Sequence, residues 1–193
     1  ASRGLGDVYK RQGLILCEGY MDVIAMHQAG FDNAVASMGT ALTVEQTRLL
    51  SRFTKELVLC YDNDNAGKIA TERALQILNG SEFSVKVLQL PRRLVDGEYI
   101  KQDADDFIKF QGPDAFERLL NGSENGVEFR MAQIAGKYDL KDDEARIAYC
   151  GEVSELLASL PGAVEREIYT GRAAEAAGIT AEAMKLEVQR SFK

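Results

Sequence analysis

The sequence has few histidines and cysteines and no long apolar run. Its 193 residues include one histidine, and its three cysteines lack metal-type spacing. We therefore expect no general base catalysis by His27, a surface or core-edge residue, and we expect buried thiols rather than disulfides or zinc ligands. No apolar run approaches the roughly 20 residues of a membrane-spanning helix, and the start lacks a signal-peptide pattern. We expect a soluble, cytoplasmic protein with no membrane partner. The three cysteines are Cys17, Cys60 and Cys150.

Basic side chains are not in excess either. The chain has 23 Lys and Arg against 30 Asp and Glu, a formal net charge of −7. Binding of nucleic acid by electrostatics alone needs a basic excess on some face. A polyanionic partner would therefore be held through a metal, a local basic patch or another part of the protein. The GxxxxGK[ST] pattern is also missing, which excludes the phosphate loop of common NTPases.

Short apolar runs alternate with helical patterns in the first part of the chain. The runs GLILCE, NAVASM, ELVLCYD and SVKVLQL predict four strands, and the segments between them predict helices. Such alternation is typical of a parallel sheet, and strands that are apolar on both faces indicate helices on both sides. The sequence therefore predicts an α/β fold with a four-stranded parallel sheet. Thr43 to Gln46 reads as a capping box that opens the second helix.

The pattern also predicts three segments along the chain. Residues 1–12 carry no usable periodicity, and we interpret them as an unstructured or foreign leader. Residues 13–122 form the α/β domain, which closes with a helix that starts at Pro113 and ends at Asn121 and Gly122. Residues 123–193 place apolar side chains at steps of three and four, which predicts an all-α helical subdomain.

Acidic side chains follow two of the predicted strands. Glu18 ends the first strand, and Asp62 and Asp64 follow the third. Ligands of parallel sheets bind beyond the carboxyl ends of the strands. Two carboxylates about 4 Å apart repel by roughly 4 kcal/mol at an effective dielectric near 20, so converging acids need a cation. Oxygen ligands favour Mg²⁺ or Mn²⁺. The alternative is that each acid only caps a helix, but three acids at one edge favour a metal site.

Other residues are candidates for the same crevice. Gly39 and Thr40 end the second strand and are candidates for nucleotide binding. Lys68, in the helix after the third strand, is a candidate for a phosphate contact. A second acid pair, Asp103 and Asp105, follows the fourth strand and could reach the metal.

Three motifs resemble a known family. EGYMD at 18–22, MGTALT at 38–43 and YDNDNAG at 61–67 resemble the Toprim module of primases, topoisomerases and related nucleases. These motifs closely resemble those of bacterial DNA primases over about residues 13–120, and YDL at 138–140 with VEREIY at 164–169 resembles the helical subdomain of that family. The resemblance implies that Glu18, Asp62 and Asp64 are the catalytic metal-binding triad. It further matches Asp103 and Asp105 to a later DPD pair, and makes Asp22 a supporting acid.

The chain departs from that family in three places. Tyr61 and Asn63 replace the phenylalanine and glycine of the FDGD pattern, and Ala104 replaces the proline of the DPD pair. Extra residues at 92–102, RRLVDGEYIKQ, separate the fourth strand from that pair. All the carboxylates are kept.

The resemblance implies a function for the full-length protein. It would be a nucleotidyltransferase that makes RNA primers on single-stranded DNA from nucleoside triphosphates, with two Mg²⁺ or Mn²⁺ ions. The replicative helicase would bind through a domain with no counterpart in this chain, and the chain alone would be inactive or weakly active. The alternatives are another Toprim nuclease or topoisomerase, which needs a nucleophilic tyrosine on another domain, and a non-catalytic scaffold. A phosphotransfer receiver domain is disfavoured because its acid pair and lysine are missing.

Overall fold

The structure is a computed structural model that describes residues 13–38, 41–95 and 97–192. The predicted leader, Gly39 and Thr40 lie outside the described residues. The chain divides into two compact units, the first ending at Gly126 and the second starting at Val127. The predicted division falls four residues earlier, after residue 122.

The first unit is built on a mostly parallel sheet. The strand order is β2-β1-β3-β4-β7, in which the first four strands are parallel and β7 pairs antiparallel with β4. The predicted α/β fold with four parallel strands is confirmed. The two-residue β7 was not predicted, because so short a strand is defined by its partner and has no sequence period of its own. The strands are β1 (Gly13–Cys17), β2 (Ala34–Ala36), β3 (Glu56–Cys60), β4 (Ser84–Val87) and β7 (Glu124–Asn125).

Five helices accompany this sheet within the described part of the first unit. The predicted capping box is confirmed: Thr43 accepts the Gln46 N–H, and the Gln46 side chain accepts the Thr43 N–H. Pro113 stands at the start of its helix as predicted, where its missing N–H is harmless. The helices are α1 (Tyr20–Gln28), α2 (Val44–Leu50), α3 (Asn65–Leu78), α4 (Ala104–Gln111) and α5 (Pro113–Asn121).

A separate antiparallel hairpin occupies the extra segment before α4. Its strands are β5 (Arg93–Val95) and β6 (Glu98–Ile100). Gly97 has φ +87°, a conformation that glycine adopts without strain. Arg93 places its guanidinium 3.7 Å from the centre of the Phe110 ring on α4. No strand was predicted in this segment, although an Asp-Gly pair between two short β-type runs is a strong hairpin signal.

The core of the first unit consists of strand side chains and helix faces. Leu57 and Leu59 on β3 are fully buried, as expected of a central strand covered on both sides. Phe116 is also fully buried and meets Phe31 edge-on with ring centres 5.0 Å apart. All three cysteines are buried free thiols, which confirms their predicted burial. His27 is exposed, as predicted, and donates to the Ala34 carbonyl at 3.0 Å.

The second unit is helical, as predicted. Its core centres on Tyr149, Val153, Leu157 and Met184, each at most 1% exposed. No helix in the part of the chain that the structure describes is long and apolar enough to cross a membrane. The helices after β7 are α6 (Gly126–Ala135), α7 (Asp143–Ala158), α8 (Ala163–Ala177) and α9 (Ala181–Arg190).

Candidate active site at the acidic edge of the sheet

Strand register brings the first three acids to one edge of the sheet. Cys17 and Cys60 are partners in the parallel pairing of β1 with β3, so the residues that follow them leave the sheet side by side. As a result, Glu18 Oε1 accepts the backbone N–H of Asp62 at 3.3 Å. Partial burial raises the pKa of the Glu18 carboxyl, and the neighbouring negative charge of Asp62 adds to this shift. We call this group, Glu18 with Asp62 and Asp64, the acidic edge.

A lysine that the sequence analysis did not single out joins the acidic edge. The Lys101 Nζ lies 3.1 Å from Asp62 Oδ2 and 2.8 Å from Asp64 Oδ2. The pKa of Asp64 is lowered, first by the N–H of Gly67 and then by the Lys101 ammonium. The pKa of Lys101 is raised by its bonds to Asp64 and Asp62. Lys101 follows β6 directly, so its position depends on the unpredicted hairpin.

The turn from β3 into α3 fixes the two aspartates. Asp64 is the N-cap of α3, and its Oδ1 accepts the Gly67 N–H at 2.8 Å. A Cβ on Gly67 would lie 1.9 Å from the Asp62 carbonyl oxygen, so only glycine fits there. The capping alternative therefore holds for Asp64, but the cap uses Oδ1 and leaves Oδ2 for Lys101. Asp64 therefore caps α3 with one carboxylate oxygen and pairs with Lys101 through the other.

Asp22 lies between the acidic edge and the second acid pair. Burial raises its pKa to about 6, and the charges of Asp103 and Asp62 add to this shift. Asp103 itself is the N-cap of α4 and accepts the Asp106 N–H at 2.7 Å. Asp105 forms an ion pair with Lys109 on the same helix. The second pair thus neighbours Asp22, whose carboxylate accepts the backbone N–H of Asp105, while the carboxylates of Asp103 and Asp105 bond to Asp106 and Lys109.

The raised pKa of Asp22 makes a testable prediction about stability. Between about pH 3.8 and 6 the folded protein keeps a proton that the unfolded chain has released, so this group lowers stability as the pH rises. An Asp22→Asn variant should therefore gain stability over wild type from pH 4 to pH 7, on the order of 1–2 kcal/mol after allowance for partial exposure. Urea unfolding at both pH values in a metal chelator measures the difference.

The control for that measurement is Asp114→Asn, which changes an exposed acid in the first turn of α5. It should show no comparable gain between the two pH values. Equal pH profiles for wild type and the Asp22 variant would contradict the prediction.

One more predicted site residue can be placed and two cannot. Lys68 is exposed in the first turn of α3, beside the acidic edge. Gly39 and Thr40 lie outside the described residues, as stated above. Tyr61, the tyrosine nearest the site in sequence, is 6% exposed, and burial raises its pKa to about 12. A phenol whose pKa is raised is a weaker nucleophile at neutral pH, so Tyr61 is not prepared for a topoisomerase-type attack.

The donor chemistry of the edge suits a hard cation. Asp62 and Asp64 already direct one oxygen each at a single positively charged group, and both are carboxylates. Nevertheless, no three His, Cys, Asp or Glu side chains converge closely enough in the described ranges to hold a metal ion as they stand. The ammonium of Lys101 takes the place between the two aspartates. A divalent ion would have to displace it.

The chain is similar to known proteins over most of its length. A family model described as Toprim-like matches residues 15–108. A model described as the DnaB-helicase binding domain of primase matches residues 127–182. A DNA primase of Clostridium acetobutylicum is 37% identical over 171 residues, which are 89% of this chain and 27% of that protein. The chain therefore spans little more than a quarter of this relative.

Solved structures of DNA primase domains are similar to the fold of this chain. A crystal structure of a DNA primase domain from Pseudomonas aeruginosa superposes with a TM-score of 0.75 at 28% identity, over 95% of this chain and 56% of that chain. A DnaG primase catalytic domain bound to ssDNA superposes with a TM-score of 0.71 at 29% identity, over 92% of this chain and 55% of that one.

The parallel sheet, its acidic carboxyl edge and the first family match define a Toprim-like domain. Such domains use divalent metal ions. Over 89% of its length the chain is similar to a DNA primase, and its fold is similar to the DnaG primase catalytic domain, in each case over part of that protein. One expectation is corrected by the second match: a segment matching the helicase-binding model is present in this chain, at residues 127–182. The motifs at 138–140 and 164–169 lie in this segment and resemble the helical subdomain of the family, but neither they nor the apolar period indicated a helicase-binding role.

Proposed function

We propose that this chain supplies the metal-binding and nucleotide-binding half of the active site of a DNA primase. The full-length protein would be a nucleotidyltransferase that makes short RNA primers on single-stranded DNA. The observation that carries the proposal is the convergence of Glu18, Asp62 and Asp64 at one edge of the sheet, with a single ammonium shared by the two aspartates. On its own the chain would be inactive or weakly active.

The residues divide into ligands and supports. Glu18, Asp62 and Asp64 would hold one or two Mg²⁺ or Mn²⁺ ions, and Asp103 and Asp105 would extend the ligand set. A bound ion there would neutralise charge on the triphosphate and activate the primer hydroxyl. The carboxylates act as ligands and not as nucleophiles.

The start of α3 is the proposed place for nucleotide phosphates. Its backbone N–H groups and helix dipole favour an anion at that end. Lys68, exposed in the first turn, adds a positive charge, and Gly39 and Thr40 are candidates for further phosphate contacts.

The proposed partners follow from the comparisons and the charge of the chain. The similar DnaG domain bound to ssDNA supports a single-stranded template. Because the net charge is −7, most contacts to the template backbone would come from parts of the protein beyond this chain. The match at residues 127–182 supports the replicative helicase as a partner of the helical unit.

A manganese titration of the chain tests the metal half of this proposal. Wild type should be stabilised by Mn²⁺, by about 2.7 kcal/mol at a free concentration of 100 times the dissociation constant. Asp62→Asn with Asp64→Asn should lose this stabilisation, since amides keep the shape and the α3 cap but remove the charge. Thermal unfolding with and without Mn²⁺ measures the effect.

Glu82→Gln is the matched control. Glu82 forms an ion pair with Lys55, and the two residues precede β4 and β3, so the pair lies at the opposite edge of the sheet. This variant should respond to Mn²⁺ as wild type does. If wild type itself gains no stability from Mn²⁺, the scaffold alternative is favoured.

A further inference from the structure

The extra segment before α4 gives this chain a charged group that the family resemblance does not account for. This segment contains strands β5 and β6 and, directly after β6, Lys101, whose ammonium lies at the acidic edge. We propose that Lys101 is a built-in counter-ion, whose ammonium holds Asp62 and Asp64 together and must be displaced before a divalent cation binds. This inference rests on the proposed metal site and adds a residue that lowers the affinity of that site for a divalent cation.

The contacts of Lys101 suit a counter-ion. One ammonium reaches Oδ2 of both aspartates, at 3.1 Å and 2.8 Å, so a single positive charge is shared by two negative ones. The Lys101 side chain is 54% exposed, against 29% for Asp62 and 37% for Asp64. A half-exposed lysine on a flexible stem can leave the site without unpacking any core residue.

The base of the hairpin is tied to the loop that carries the acids. Asn63, between the two aspartates, donates its side-chain amide to the Leu90 carbonyl at 3.1 Å. Gln102, directly after Lys101, donates to the neighbouring Pro91 carbonyl at 2.7 Å and is 4% exposed. The consecutive carbonyls of Leu90 and Pro91 therefore hold Asn63, beside the two aspartates, and Gln102, beside Lys101. Asn63 and the extra segment are both departures from the family pattern, and both bond to the backbone at Leu90 and Pro91.

Electrostatics gives the reason for a counter-ion. Asp62 and Asp64 are separated by one residue, and the neighbouring Glu18 adds a third acid. Lys101 relieves the repulsion with one charge, whereas a divalent cation supplies two at the same point. The cation therefore replaces the lysine, but its apparent affinity is reduced by the pairing that it must break.

The test compares Lys101→Met with Lys101→Arg in this chain. Without the ammonium, the dissociation constant for Mn²⁺ should fall by roughly three- to tenfold, in the range that exposed ion pairs support. The melting temperature in a metal chelator should fall as well, because the aspartates then repel each other. Arginine keeps the charge and should leave both values near wild type. Isothermal titration with Mn²⁺ and thermal unfolding in EDTA measure them.

Two controls test whether the effect on Mn²⁺ affinity is specific to the charge of Lys101: ionic strength and a substitution of Lys55. The affinity difference between Lys101→Met and wild type should shrink as ionic strength rises, because exposed pairs are screened. Lys55→Met removes a lysine–carboxylate pair at the opposite edge and should leave the Mn²⁺ affinity unchanged. Unchanged affinity in Lys101→Met, or a loss of affinity, would overturn the counter-ion role.

Failure of the inference and failure of the proposed function give different results. If the Asp62 and Asp64 double variant abolishes Mn²⁺ binding while Lys101→Met has wild-type affinity, only the counter-ion role is wrong. If the double variant binds Mn²⁺ as tightly as wild type does, the metal site itself is wrong.

Discussion

A Gly67→Ala variant should lose the acidic edge and much of the stability of the first unit. The new Cβ would lie 1.9 Å from the carbonyl oxygen of Asp62 and 2.7 Å from its carbonyl carbon. Both are backbone atoms of the loop that presents the aspartates, so the clash cannot be relieved by a side-chain rotation. We expect a loss of about 3 kcal/mol or more in the free energy of unfolding, at the upper end for overpacked sites. Urea unfolding followed by circular dichroism measures it.

The same variant should bind Mn²⁺ poorly, because relief of the clash moves Asp62 away from its neighbours. Gly151→Ala on α7 is the control of opposite sign. That glycine is helical with nothing within 4 Å of its ideal Cβ, so alanine should stabilise the protein by about 0.5–1 kcal/mol. Wild-type stability and Mn²⁺ binding in Gly67→Ala would contradict the geometry of the turn.

Primer synthesis by the full-length protein should fall at least about 100-fold when Asp62 and Asp64 are both changed to asparagine. Each amide is nearly the same size as the acid, and asparagine caps a helix as well as aspartate does, so α3 should begin at the same residue. What is lost is two negative charges at the edge where the metal and the triphosphate are proposed to bind. The length and yield of RNA products on a single-stranded template measure the effect.

Two comparisons make this assay decisive. Full-length protein with Glu82→Gln should keep wild-type primer synthesis, since that acid lies at the opposite edge of the sheet. The double variant should also keep the circular dichroism spectrum of wild type in a chelator, because asparagine preserves the side-chain size and the cap of α3. Undiminished primer synthesis in the double variant would exclude these residues from the active site.

Local patterns in the sequence predicted most of the first unit. The strands β1 and β3 are continuous apolar runs, and their burial follows directly from that composition. The capping box at Thr43 and the proline at 113 marked helix starts that the structure confirms, because caps act between residues three positions apart. The DxD spacing and Glu18 could be assigned to one edge because parallel strands end together.

The elements and contacts that the sequence did not predict have physical explanations as well. The hairpin carried a turn signal at Asp96 and Gly97, but its strands are three residues each, too short for a convincing period. Strand β7 is shorter still and exists only because Lys86 and Val87 accept it as a partner. Lys101 has no distinguishing local signal, because the local sequence does not show where the residue after a hairpin will lie in the fold.

The sequence by itself determined the four parallel strands of the first unit, the helical character of the second and the resemblance to primases, since these depend on composition, period and motif along the chain. Only the tertiary structure decided which charges meet: that Asp62 donates its N–H to Glu18, that Asn63 and Gln102 tie down the hairpin, and that Lys101 lies between two aspartates. These contacts join residues 11 to 44 positions apart. Coulombic and hydrogen-bond energies depend on distance in space, which a local pattern does not contain.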